Sequence, residues 1–186
     1  MHNETTAKHL FSTQTIAKIA IITAVTCVLA PLSLPIGPIP ISLTNFVIYL
    51  GLYALGTKNE LISYLAYLLL GAIGLPVFSG FVGGPGKLIG PTGGYLIGFL
   101  PMAAVAGLVI EHFPEKKLAA ALGMIAGTLI CYILGTAWFC IQANATVSKA
   151  LGLCILPFLP GDGIKIAVAV FMGPKLRRAL SRSELY

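Results

Sequence analysis

The chain has 186 residues, of which 57% are hydrophobic and only 10% charged, with a formal net charge of +6 and a mean hydropathy of +0.92. Soluble domains carry about a quarter charged residues, so the composition excludes one and indicates an integral membrane protein. The basic residues sit at segment ends rather than on one amphipathic stripe, which argues against nucleic-acid binding and suits orientation in a bilayer.

The length suits a single membrane domain over residues 1–186, with no linker long or polar enough to divide it. Residues 1–14 are polar and are expected on the membrane surface. The apolar run that follows is longer than a signal-peptide core and lacks a small-x-small cleavage site, so it is expected to remain as the first membrane helix. That helix is predicted over 16–34, fading at Pro31 and Pro35. Pro35, Pro38 and Pro40 rule out a regular helix next, because proline removes a backbone donor and fixes φ. An uncharged loop of this kind, here 31–42, suits capping a cavity rather than waving in water.

Residues 43–55 read as helix 2, short for a full span of about 20 residues. Lys58 and Glu60 mark a polar turn before helix 3 at 61–75, which Pro76 ends. A glycine-rich loop fills 77–92, helix 4 runs 93–110, and helix 5 runs 118–141 after the charged turn at 111–117. A polar stretch, an apolar run at 150–159 and helix 6 at 161–180 complete the chain. The fold class read from this pattern is all-α, a polytopic bundle of six transmembrane helices.

Orientation follows from the basic residues. With both termini cytoplasmic, Lys8, Lys18, Lys58, Lys116, Lys117, Lys175, Arg177, Arg178 and Arg182 all lie on or near that side, nine of the twelve, as the positive-inside rule requires. The proline loop 31–42, the glycine loop 77–92 and Asp162 then meet at the outer face, over a common binding site.

Asp162 is the only aspartate, and Lys165 follows it at i+3, ahead of a charge-free run from Ile166 to Met172. Residues at this spacing share a helix face. A charge pair at the edge of the bilayer core is costly and faces a cavity more readily than lipid, which marks a ligand site. The competing reading is an ion pair that locks a helix start, with Asp162 favouring the N-terminus electrostatically.

Gly86-Lys87 invites comparison with a phosphate-binding loop, but Leu88 stands where Ser or Thr should hold magnesium and Phe81 where the first glycine belongs. What remains is a helix start at Thr92, Gly93 and Gly94, whose free N–H groups suit an anion. Close helix packing through Gly94 and Gly98 is an equally good reading. Trp138, the only tryptophan, either lines a cavity or anchors at the interface. Asn144 is expected at the depth of Asp162, where its amide offers a donor and an acceptor. Thr44 opens helix 2, as a cap or as a ligand contact. In helix 1, Ala20 and Ala24, preceded by Ala17, form a smooth stripe that lets another helix approach, inside the bundle or on a partner.

Cys27, Cys131, Cys140 and Cys154 lie in apolar surroundings without Cys-x-x-Cys spacing and read as small buried hydrophobes. The histidines have no partner at a metal-ligand spacing. No paired carboxylates, Gly-x-Ser-x-Gly or His-Glu-x-x-His pattern is present, so no enzyme activity, metal or cofactor is expected.

The segments 90–99 (GPTGGYLIGF) and 156–165 (LPFLPGDGIK), with Ile41-Ser42-Leu43-Thr44 closing the proline loop, closely resemble the BioY family along essentially the whole chain. These are the biotin-specific S components of energy-coupling factor (ECF) transporters. The resemblance implies a six-helix bundle in a prokaryotic cell membrane that binds biotin at its outer face. It also implies partnership with a membrane coupling protein and two cytoplasmic ATPases, with Ala20 and Ala24 of helix 1 meeting the coupling protein. Asp162 and Asn144 would serve the ureido ring, and Trp138, Phe46 or Tyr95 the apolar bicycle. Which polar end of biotin meets which group stays open; Lys165 or the glycine loop is the alternative holder of the ureido oxygen. The rival function is a stand-alone ion-coupled carrier using Asp162, disfavoured by the lack of a detectable inverted repeat.

Overall fold

The computed structural model describes residues 12–35 and 38–183. The reading of the polar N-terminal segment falls mostly outside these residues, as do two positions of the proline loop. Among the described residues there are eight helices and one two-stranded ribbon: α1 (Thr13–Leu29), β1 (Ser33–Leu34), β2 (Ile41–Ser42), α2 (Thr44–Leu55), α3 (Thr57–Ala72), α4 (Pro85–Ile89), α5 (Gly93–His112), α6 (Lys117–Ala143), α7 (Val147–Cys154) and α8 (Phe158–Ser183). Six of these helices overlap the six predicted ones, but α1 ends at Leu29 rather than reaching residue 34, and Ser33–Leu34 is a strand. The other two, α4 and α7, fall in the glycine loop and across the polar stretch and apolar run that precede helix 6.

The outer surface is apolar: Ile21, Leu69, Leu108, Leu122, Ile133, Ile141 and Phe171 are all exposed. In water such a surface would associate; in a bilayer it is the solvated face. α5 and α6 are each long and apolar enough to cross a membrane, and α7 with α8, bent by 48° at their break, make a third such stretch.

Small residues bring α5 against α6. A side chain at Gly94 would run into Trp138 and Gly135 of α6, and one at Gly98 into Cys131, which is the close packing that small-x-x-x-small spacing permits. On α1, Thr23 and Thr26 return their hydroxyls to the carbonyls of Ile19 and Ile22. Thr23 also bonds Ser63 Oγ at 3.0 Å, joining α1 to α3. The opposite face, with Ala17, Ala20 and Ala24, is exposed.

Three local expectations are corrected. Lys58 and Glu60 do not form a turn. α2 and α3 are separated by Gly56 alone, at φ 78, a left-handed conformation that glycine adopts without a Cβ penalty. Glu60 therefore lies inside α3, fully buried against Gly51. The proline loop is partly a β ribbon, Ser33 pairing with Ser42 and Leu34 with Ile41. Finally, α8 starts at Phe158, with no acidic residue in its first turn. Asp162 is in the second turn, so the helix-start lock loses its electrostatic basis.

The two loops are tied together. Gly80 N–H donates to Pro31 O at 3.1 Å, and Gly84 N–H to Gly71 O at 2.7 Å. On the far side of the glycine segment, Trp138 Nε1 donates to Gly90 O at 2.9 Å and Gln142 Nε2 to Ile89 O at 2.6 Å. These bonds hold the lid segments over one end of the bundle.

Candidate functional site

Under those segments lies a narrow cavity of about 50 Å³. One wall is apolar, made by Ile39 of the ribbon loop, Leu96, Phe99 and Met102 of α5, and Phe158 of α8. The polar part of the lining is made by Ser42 of β2, Thr44 and Asn45 at the start of α2, Tyr132 of α6, and Asp162 and Lys165 of α8. Ser79 and Thr92 of the glycine segment add two hydroxyls. Such a lining suits a compact ligand with an apolar body and a polar group to be read.

The charge pair is the centre of the polar wall. Lys165 Nζ and Asp162 Oδ1 are 2.9 Å apart, their side chains 12% and 8% exposed. An ion pair this deep persists only when its remaining hydrogen-bonding capacity is also met. Lys165 Nζ donates to Ser42 O at 2.7 Å and to Asn45 Oδ1 at 3.0 Å as well. An ammonium has three donors, and all three are thus engaged. Asp162 Oδ1 also accepts from Asn45 Nδ2 at 2.9 Å, and Oδ2 accepts from Tyr132 O–H at 2.6 Å. A carboxylate has about four lone-pair sites, so Oδ2 keeps one acceptor position unused by the protein. The wall therefore offers an acceptor, backed by a spent cation, and suits a ligand N–H or O–H.

A further layer sits behind. Tyr49 O–H and Thr128 Oγ1 are 2.6 Å apart, and Tyr95 O–H and Thr136 Oγ1 are 2.9 Å apart. These buried hydroxyls fix α6 against α2 and α5, which keeps Tyr132 in register with Asp162.

Of the residues singled out in the sequence, Asp162, Lys165, Thr44 and Tyr95 come together around this cavity. Thr44 makes no cap bond, since the N-cap of α2 is Leu43. Gly93, Trp138 and Asn144 do not line it. Gly93 packs against the backbone of Leu88, and its N–H is taken by Gly90 O at 2.9 Å, so that N–H is not free for an anion. Trp138 props the glycine segment from outside. Asn144 ends α6 in the left-handed conformation, φ 47, and is exposed.

Two residues with a part in the polar wall were not singled out as ligands. Asn45 bridges both members of the ion pair, and Tyr132 holds the second carboxylate oxygen. A signal for Tyr132 exists: Thr128, Tyr132 and Thr136 recur at i, i+4 and i+8, a polar stripe along an otherwise apolar helix.

Fold and site together define a helical membrane protein built around a buried small-molecule cavity. The model of the BioY family matches residues 2–182, and the chain belongs to that family. It is 40% identical to the biotin transporter BioY of Thermotoga maritima, over 87% of this chain and 94% of that one. It is 36% identical to the probable biotin transporter BioY of Pyrococcus horikoshii, over 87% of this chain and 95% of that one. Among solved structures, the S-component for biotin from an ECF-type ABC transporter matches with a TM-score of 0.81 and 31% identity. That match covers 96% of this chain and 95% of the other. The family expected from the sequence motifs is the family found.

Proposed function

We propose that this chain is the biotin-binding membrane subunit of an ECF-type ABC transporter that mediates biotin uptake. The observation that carries the reading is the buried Asp162–Lys165 pair, braced by Asn45 in a cavity otherwise lined largely by apolar side chains. The names of the relatives and of the matching structure support it.

Biotin fits this chemistry. Its ureido ring carries two N–H donors for an acceptor, and Asp162 Oδ2 has the open position. Its bicycle and valeryl chain are apolar and suit Phe99, Leu96 and Phe158. Its carboxylate is repelled by Asp162, and Lys165 has no donor to spare, so the carboxylate belongs toward the mouth, near Thr92 and Ser79. Tyr95 adds ring surface and Thr44 a hydroxyl. In this reading the chain takes no cofactor; biotin is cargo.

The proposed placement is the cell membrane of a prokaryote, with six passes formed by α1, α2, α3, α5, α6 and the α7–α8 pair, and both termini in the cytoplasm. The basic residues that cluster at one end support this orientation. Energy would come from a membrane coupling protein and two cytoplasmic ATPases. The exposed Ala17, Ala20 and Ala24 of α1 offer the coupling protein a smooth surface.

Calorimetric titration of the purified chain with biotin tests the binding reading. Saturable one-to-one binding without any ion gradient is expected. No binding, or binding only with a coupling ion present, would contradict it and favour the carrier.

A further inference from the structure

We infer that Tyr132 is a positioning residue for ligand recognition, acting through Asp162; this rests on the biotin reading above. Its hydroxyl donates to Asp162 Oδ2 at 2.6 Å, while Asn45 and Lys165 both occupy Oδ1. Among the described residues, Tyr132 is the only one from α6 that holds this carboxylate, and α8 carries the carboxylate itself. A carboxyl group anchored on one oxygen alone can rotate about the bond that joins it to Cβ. Anchoring the second oxygen fixes its plane, and with it the direction of the one lone pair left open. An acceptor whose direction is set before the ligand arrives binds more tightly, because the ordering cost is already met.

The place of the side chain supports this role. Tyr132 is buried and is common to the cavity and to a separate apolar groove on the outer side of the bundle, lined by Ile133, Ala137, Cys140, Val147 and Leu151. Its ring is therefore the partition between a polar recognition site and a surface facing lipid. Its hydroxyl turns to the site and its ring supplies the wall. The two jobs separate by substitution: Tyr132→Phe keeps the wall and removes the bond.

A double-mutant cycle on biotin affinity distinguishes positioning from wall-building. The wild type, Tyr132→Phe, Asp162→Asn and the double variant are titrated with biotin, each checked for monodispersity and ligand-free thermal stability. Tyr132→Phe is expected to weaken binding about tenfold, the scale of a lost hydrogen bond to a charged group. In the Asp162→Asn background the same change is expected to cost less than about twofold, since the fixed carboxylate is already gone. Should the phenylalanine variant fail to fold, Tyr132→Leu, which loses ring and hydroxyl together, is expected to cost about tenfold more in the wild type than in the Asp162→Asn background, the wall's share being common to both. Equal losses in both backgrounds would overturn the inference in favour of a purely structural wall. Unchanged affinity in Tyr132→Phe would overturn it as well. If the wild type itself does not bind biotin, the functional reading falls and this inference with it; wild-type binding with an inert Tyr132 removes only the inference.

Discussion

Asp162 and Lys165 carry nearly all the ionic character inside this protein's cavity, and each is held by neutral groups as well as by the other. Asp162→Asn keeps the shape but replaces an ionised acceptor. A hydrogen bond to a charged group is worth roughly 1.5–3 kcal/mol, and each 1.4 kcal/mol is about tenfold in affinity. Titration of that variant should show biotin binding weakened about ten- to a hundredfold, in a chain that still folds. Lys165→Met should weaken binding too, because it strips Asp162 Oδ1 of its cation and leaves a buried carboxylate held only by Asn45 and Tyr132. Unchanged affinity in either would reduce the pair to a structural lock. The pair was legible in the sequence because a lone aspartate with a lysine at i+3 stands out in so apolar a chain. Asn144 misled because depth along a chain does not say which way a helix end turns. Its backbone goes left-handed at φ 47 and carries the amide outward. Tyr132 and Asn45 were harder to see, since their partners lie 30 and 117 residues away.

At the scale of elements, helix positions were legible from apolar runs and their punctuation, and the packing of α5 on α6 from glycine spacing. A side chain at Gly94 would meet the Cα of Gly135 at 3.2 Å. Gly94→Val should therefore destabilise the chain by about 1–3 kcal/mol, the usual cost of overpacking, seen as a lower melting temperature before any ligand is added. The β ribbon was not legible. Three prolines exclude a helix, but pairing Ser33 with Ser42 depends on how the loop closes over the bundle, which local sequence does not encode. The helix α7 was hidden because its eight residues mix Ser148 and Lys149 with apolar side chains, a composition shared with loops. Helix α1 shows what exposure adds to spacing. Its Ala-x-x-x-Ala stripe suited an internal or an external neighbour, and the structure leaves Ala17, Ala20 and Ala24 open. Ala20→Leu with Ala24→Leu should block close approach of another helix. Pull-down with the coupling protein should show lost assembly, while biotin titration of the isolated variant stays at the wild-type value. Normal assembly would mean that the stripe faces only lipid.

For the whole molecule, the division of labour is the main consequence. In the proposed reading, recognition is concentrated beneath the ribbon and the glycine segment, around the cavity that Asp162 and Lys165 line. The glycine segment departs from a nucleotide-binding loop at Phe81 and Leu88, in keeping with the proposed role of a binding subunit energised by partners. Labelled biotin presented to sealed vesicles containing only the purified chain tests this directly. The expected result is retention that saturates at about one biotin per chain, with no dependence on ATP or an ion gradient and no build-up in the lumen. Retention well beyond the amount of protein, with free biotin concentrated inside, would contradict the account; so would a chain that retains none.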